Sequence, residues 1–288
     1  MSAIEWTDVT LNPVIGCSKI SAGCSNCYAS DTAASLATRF PNGAGQRYLA
    51  VLDDQRKRWN GRVILDRDAL SKRAPRRRSE PDLLNGGQRW RPARVFLGSM
   101  TDLFHESLPD IDRRDVWRWM ASHGGAAGPI FQLVTKRPDV AAETLPRDMG
   151  QWSDPRERPR IHLLTSTEDQ EAADQRIPAV LRCRPWVELV GISAEPLLGP
   201  VVLLPEWLRL GQGLRWVIVG GESGRGARGC DIGWIRSMVR QCRSAAVPVF
   251  VKQLGADPWD DGQRITASRK GGDPSEWPDD LRVREFPA

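Results

Sequence analysis

Cys17, Cys24 and Cys27 fall within eleven residues, in the run Asn12-Pro13-Val14-Ile15-Gly16-Cys17-Ser18-Lys19-Ile20-Ser21-Ala22-Gly23-Cys24-Ser25-Asn26-Cys27-Tyr28-Ala29. Three thiolates on one loop, with no nearby fourth, match an iron–sulfur cube that leaves one iron open for a substrate or cofactor. A closed structural zinc site would want four protein ligands, so zinc would have to recruit a distant His or Cys. Disulfides fit less well: six Cys are spread over 288 residues, and Ser2, Glu5 and Asp8 stand where a secretory leader would be basic and apolar. A cytoplasmic setting is therefore expected, where clustered thiols stay reduced and bind metal. No apolar run approaches the roughly 18 residues of a membrane span, so no membrane role is expected.

Forty per cent hydrophobic residues are enough for a substantial core in one large α/β barrel or two modest domains. The net charge of +5 is mild but locally crowded, with Lys72, Arg73, Arg76, Arg77 and Arg78 in one stretch. Twelve Trp stand against two Tyr. Cationic loops beside exposed Trp suit nucleic acid, through phosphate neutralisation and base stacking. The competing reading is a solvated loop with the tryptophans buried in the core.

From residue 90 onward one pattern repeats: a short run apolar on both faces ends abruptly in polar residues or glycine, and a helical stretch usually follows. The runs are 94–98, 130–134, 161–164, 187–192, 216–219 and 247–251. Their spacing of about thirty residues leaves room for one crossover helix each, as parallel βα repeats require. With a first strand near 10–14 feeding the cysteine loop, the pattern predicts a partial or complete TIM-like (βα) barrel of six to seven parallel strands. Asp231 and Asp112 are placed to cap two helices, the second ending near Gly124 and Gly125. A third helix is expected over 168–182, broken or kinked at Pro178. The whole chain, 1–288, reads as one barrel domain. It carries an irregular insertion or lid at about 41–93, with a helix over 51–59, and an irregular tail at about 256–288 anchored by Trp259 and Trp277.

In parallel α/β architectures chemistry collects at the carboxyl ends of the strands. Those ends carry Cys17, Cys24 and Cys27; Ser99 to Asp102; Thr135 to Pro138; Thr165 to Glu168; Ser193 to Pro196; Gly220 to Gly224; and Lys252-Gln253. All are polar. Converged on one mouth, they would ring a pocket with a cluster on one side.

The same residues carry a family likeness. The cysteine run, Gly98-Ser99-Met100-Thr101-Asp102-Leu103-Phe104, Leu133-Val134-Thr135-Lys136-Arg137-Pro138, Glu195-Pro196-Leu197-Leu198-Gly199-Pro200, Val219-Gly220-Gly221-Glu222-Ser223-Gly224 and Lys252-Gln253-Leu254-Gly255 span nearly the whole chain. In that order they resemble a bacterial and phage family of uncharacterised three-Cys-motif proteins. That family in turn looks like a divergent branch of the radical S-adenosylmethionine (SAM) enzymes, which include the spore photoproduct lyase that repairs DNA.

The resemblance implies that Cys17, Cys24 and Cys27 hold a 4Fe–4S cluster whose fourth iron chelates SAM. An external electron donor would drive SAM cleavage to methionine and a 5′-deoxyadenosyl radical, for repair or modification of nucleic acid. It also implies a companion protein encoded nearby. The six-residue gap between Cys17 and Cys24 is longer than radical SAM enzymes use, and Gly220-Gly221-Glu222 follows a later strand than the equivalent triplet does there. Ser99 and Asp102 are accordingly assigned to the methionine amine, Ser166 and Glu168 are candidates for the ribose hydroxyls, and Thr101 joins the cofactor-binding set. Gly220 and Gly221 would admit the cofactor close to the backbone. Ser193, Glu195 and Glu222 complete the cofactor-binding set, with Tyr28 shielding the cluster or touching adenine.

Cys230, beyond a Gly- and Arg-rich loop, is a candidate hydrogen-atom donor, whereas Cys183 and Cys242 read as core. His105 follows Asp102 closely enough to reach the mouth. Lys136, Arg137, Arg225, Arg228 and Lys252 are candidates for carboxylate or phosphate binding, against a structural salt bridge for each. Two rival functions share these residues. One is a non-catalytic zinc- or cluster-bearing module acting with a partner protein or nucleic acid. The other is a SAM-independent enzyme using Glu195 and Glu222 as acid and base.

Overall fold

The computed structural model describes residues 4–81, 88–265 and 270–287. Parts of the expected insertion (82–87) and tail (266–269 and 288) lie outside the described residues. Seven strands form the main sheet: β1 (Val9–Leu11), β2 (Arg94–Leu97), β3 (Ile130–Thr135), β4 (Arg160–Ser166), β5 (Leu189–Ala194), β6 (Val217–Gly220) and β7 (Val249–Gln253). They lie side by side in chain order, every neighbouring pair parallel. β1 and β7 are the edges and do not pair with each other among the described residues, so the sheet is a half-barrel.

The strands are apolar on both faces because both faces are covered. Val95, Leu97, Phe131, Leu133, Ile161, Leu163, Val190, Ile192, Val217, Val219, Val249 and Val251 join the main core cluster with the helices. The alternate positions Phe96, Leu164, Leu189, Ile218 and Phe250 join Trp6 and Trp216 in a separate cluster on the other face. Continued toward the carboxyl ends, that second alternation carries Lys136, Ser166, Ser193, Glu195 and Lys252. The concave face thus turns from aromatic to polar where the loops begin.

Among the described residues five long helices accompany the strands, α1 (Tyr28–Arg39), α2 (Asp110–Ser122), α3 (Pro138–Met149), α4 (Gln170–Arg182) and α5 (Ile232–Ser244), and the insertion adds one helical turn over Arg67–Leu70. β5 reaches β6 with only a 3-10 turn over Pro205–Leu208. Asp231 caps α5 as expected, accepting from the Gly233 amide at 2.7 Å. Asp169 caps α4 through the Ala172 amide at 2.9 Å. α2 begins at Asp110, two residues before the expected cap; Asp112 lies in its first turn, where a carboxylate favours the helix dipole. That helix stops where Gly124 takes a φ of +116°, a conformation that favours glycine. Pro178 does not break α4: the helix runs through it to Arg182, with Ala173, Ile177 and Val180 buried along one face. Packing against the sheet outweighs one lost backbone bond.

The insertion differs most from expectation. No helix forms over 51–59. Val51 and Leu52 are buried, Leu52 bridges Trp59, and the polar residues between make a tight turn with Arg56 at φ +54°. Tyr48, Val51 and Leu52 pack with Ile15, Ala29, Ala33, Ala37 and Met100. Ile64–Leu65 pairs antiparallel with Val14–Ile15. This first half therefore buttresses the cysteine loop. The second half forms an unexpected two-stranded ribbon, Arg77–Pro81 with Gln88–Pro92. Arg91 ties it to Asp8 at 2.7 and 2.8 Å, just ahead of β1, so it lies at the amino ends of the strands and does not cover their carboxyl ends. In the tail Trp277 is buried and donates to the Gly271 carbonyl at 3.0 Å, whereas Trp259 stays 38% exposed.

Glu188, beside the amino end of β5, accepts from Arg160 at 2.7 and 2.6 Å. Burial pushes its carboxyl up, but the Arg160 bonds and the nearby His162 outweigh it and hold the pKa at about 2. Because this is below the usual 4.5, the stabilisation is complete above that pH and fades as the pH falls toward 2. Glu188→Gln should lower the melting temperature at pH 7 and weaken its decline across that acidic window. Parallel melting curves for the two proteins from neutral to acid pH would show that the pair contributes nothing.

Candidate functional site

The chain enters the cysteine loop through Val14–Ile15 and turns at Gly16, whose φ is +95°. A Cβ there would sit 2.1 Å from the Arg62 carbonyl oxygen, so only glycine allows the turn that delivers Cys17. Thr101 donates to the Gly16 carbonyl at 2.7 Å, and Asn12 accepts from the Ser99 hydroxyl and the Met100 amide at 3.1 Å each. Cys24 ends a single 3-10 turn, and Cys27 immediately precedes α1.

Four strand ends then clamp this loop. Arg137, after β3, donates to the Ser18 hydroxyl at 2.8 Å and places Nη1 3.9 Å from the Cys17 sulfur. Its guanidinium is held from behind by Asp102 at 3.2 Å and Glu106 at 2.9 Å. Asp102, after β2, also accepts from the Thr135 hydroxyl and the amides of Lys136 and Phe104. His105 meets the Ser18 hydroxyl at 2.8 Å; burial and the Arg137 charge lower its pKa, so it is neutral there. Glu168, after β4, pairs with Arg176 at 2.7 Å and accepts from the Gly23 amide at 3.4 Å. Glu222, after β6, accepts from Asn26 and Arg228 at 2.9 Å each, while Arg228 reaches the Ala22 carbonyl at 3.0 Å. Residues expected to bind a ligand are thus largely occupied in holding the loop.

All six cysteines are free thiols. Cys17 is pushed up to about 12, mainly by burial, then by Asp102 and the neighbouring Cys24 and Cys27, against the opposing pull of Arg137. Cys24 and Cys27 thus both act on the Cys17 thiol. The Ser21 hydroxyl stands 3.9 Å from the Cys24 sulfur. Among the described residues no three His, Cys, Asp or Glu side chains converge on one point as a single ion would need. A cluster takes one cysteine per iron, so its thiolates need not meet at a point. Three sulfurs with guanidinium and hydroxyl groups beside them fit a group whose ligands carry negative charge.

A second polar group stands at the carboxyl ends of β5 and β7. Lys252 and Glu195 pair at 2.9 Å with side chains 18% and 12% exposed, and Ser193 donates to Glu195 at 3.3 Å. The Tyr28 ring is half exposed while its hydroxyl, sunk against the Ser99 carbonyl at 3.0 Å, is raised in pKa by burial and by Cys27 and Glu195. At Gly220 a Cβ would come within 2.9 Å of the Gln253 carbonyl oxygen and 3.1 Å of the Glu195 carboxylate. At Gly221 it would come within 2.3 Å of the Leu254 carbonyl oxygen. Close approach to β7 is thus reason enough for both glycines.

The remaining candidates scatter. Ser166 lends its carbonyl to Arg176 at 3.0 Å. Lys136 is half-buried and lowers the Glu168 pKa, though burial pulls the other way. Arg225 is exposed and makes no ion pair among the described residues. Cys230 lies in the core against Gly221, its thiol raised to about 12 by burial, as are the core thiols of Cys183 and Cys242. Glu222 is held below the usual carboxylate range: burial raises it, but Arg228 and Asn26 prevail. That is the reverse of what a general acid needs at neutral pH.

Sequence reasoning missed Asn12, Ser18, Asn26, Glu106 and Arg176. Three of these sit inside the cysteine motif and Glu106 just past Asp102, so proximity was the available signal; nothing marked Arg176. Two surface clefts, one lined by Arg184, Glu188 and Arg215 and one by Arg47, Asp66 and Lys72, lie away from the thiols. Among the described residues no helix is long and apolar enough to cross a membrane.

No curated protein and no solved structure matches the chain. A family model described as a protein of unknown function, DUF5131, matches residues 1–276. The chain therefore belongs to the DUF5131 family.

Proposed function

We propose that this protein is a radical SAM-type enzyme in which Cys17, Cys24 and Cys27 hold a 4Fe–4S cluster beside a SAM site. One observation carries the reading: three free thiols sit on one loop at the carboxyl ends of a parallel half-barrel, clamped by Arg137, Glu168, Glu222 and Arg228. Bound there, the cluster would supply the electron for reductive cleavage of SAM, delivered by an external donor.

The chain's own residues hold, orient and shield. Gly16 sets the turn of the loop, and Arg137 stands as a fixed positive charge beside Cys17. Asp102 already accepts from four donors, which leaves it no role toward the methionine amine. Glu195 and Lys252 keep some exposure beside the buried Ser193 and offer both signs of charge, as a zwitterionic methionine end requires. Tyr28, next to Cys27 in the chain and held by the Ser99 carbonyl, would shield the cluster. Cys230, buried in the core, takes no part.

Anaerobically reconstituted protein, reduced with dithionite in the presence of SAM, tests this. Formation of 5′-deoxyadenosine and methionine is expected. Intact SAM after full reduction contradicts the proposal, and one tightly held zinc in place of iron would point to a binding module.

A further inference from the structure

Between Lys72 and Pro92 the chain carries seven basic against two acidic side chains, while the whole protein has a net charge of +5. We infer that the ribbon of Arg77–Pro81 and Gln88–Pro92, with the approach from Lys72, is a docking surface for single-stranded nucleic acid, separate from the thiol site. Within it the basic residues divide into two sets. Arg91 is structural, bonded to Asp8 and Glu80, and Arg89 pairs with Glu80. Lys72, Arg73, Arg76 and Arg77 are exposed and make no ion pair among the described residues. Like charges held together raise one another's energy, and nothing in the ribbon's own fold requires these four. A polyanion relieves that repulsion and releases its counterions on binding.

The second observation is Trp90. Trp6, Trp117, Trp207, Trp216 and Trp277 are all at most 5% exposed, whereas Trp90 is 65% exposed. It lies directly across the ribbon from Ser79, and the pleat puts it on the same face as Arg77. An exposed indole beside an unpaired guanidinium is a platform on which an unpaired base can stack while the cation meets its phosphate. Bases within a duplex are already stacked, so the aromatic favours single strands over duplex, and over an acidic polypeptide, which offers charge alone. Stacking and phosphate contacts are open to either sugar, so DNA and RNA should bind alike.

The ribbon is anchored at the amino ends of the strands, opposite the thiols. Binding here therefore needs no cluster, and its failure leaves the proposed radical chemistry untouched. The test uses the whole chain and fluorescence anisotropy with labelled 20-mers of dT and rU, a matched duplex, and polyglutamate as competitor. Both single strands should bind within a few-fold of each other and more tightly than the duplex. Their log affinity should fall with log salt at a slope of about −3, for four cations on single-stranded phosphates. Lys72→Ser/Arg73→Ser/Arg77→Ser should reduce that slope to about −1. Trp90→Ala should weaken binding about tenfold with the slope unchanged, and Trp90→Phe should restore most of it. Absent single-strand binding, preference for duplex, equal competition by polyglutamate, or a Trp90→Ala variant that binds as wild type would each overturn the inference.

Discussion

Replacing any one of Cys17, Cys24 and Cys27 by alanine is expected to lower iron incorporation to background and abolish SAM cleavage, while Cys242→Ala keeps both. The three loop thiols are half-buried and lie outside the main core cluster, so their loss removes ligands without opening a cavity there. Cys242 is fully buried in that cluster, so its replacement affects stability and leaves the iron alone. The cluster reading needs all three thiolates, because no fourth Cys stands among the clamps and His105 already spends its ring nitrogens on the Ser18 hydroxyl and the Ser107 amide. Iron content, the visible absorption band and 5′-deoxyadenosine yield together provide the readout. Retention of full iron by any single loop variant would mean that other residues hold the metal.

Arg137→Ala is expected to destabilise the fold by about 3 kcal/mol and to loosen the loop at once. Breaking a buried ion pair commonly costs about 3–5 kcal/mol, because the surviving charge stays buried without compensation. The Asp102 side chain is only 7% exposed, but it keeps three other donors after the substitution, which puts the cost at the lower end. Glu106, 60% exposed, is screened by water and adds little. The loop loses the bond to Ser18 and the cation beside Cys17 together. Denaturant midpoints should fall, and protease should nick the loop faster even in metal-free protein. Arg137→Lys should recover charge but not the fork geometry, giving intermediate values. A wild-type midpoint with unchanged nicking would show that Arg137 is a bystander.

The strands were legible because parallel strands beneath helices are apolar on both faces, a signal that survives without neighbours. Runs such as Ile130 to Val134 and Val247 to Val251 need no tertiary information. The insertion was illegible for the opposite reason. Between Val51 and Trp59 the apolar residues sit at the ends of a polar turn, and Leu52 meets Trp59 only once the chain has reversed. In the ribbon, arginines occupy both faces, which hides the period of two. At the site, the strand-end rule found Asp102, Arg137, Glu168 and Glu222 but not what they do. Arg137, Glu168 and Glu222 make hydrogen bonds with the cysteine loop, and Asp102 holds Arg137, rather than facing a ligand. Which donor meets which acceptor depends on how the loop folds back over the strand ends, and no one-dimensional spacing records that. Arg176, eight residues beyond Glu168 and on the next helix, is the clearest instance.

The most direct test is the iron and acid-labile sulfide content of protein purified without oxygen. About four of each per chain, removed together by loss of Cys17, is the predicted outcome. Protein that is folded yet free of iron and sulfide, or that carries a single zinc with a fourth side chain closing its coordination, contradicts the account.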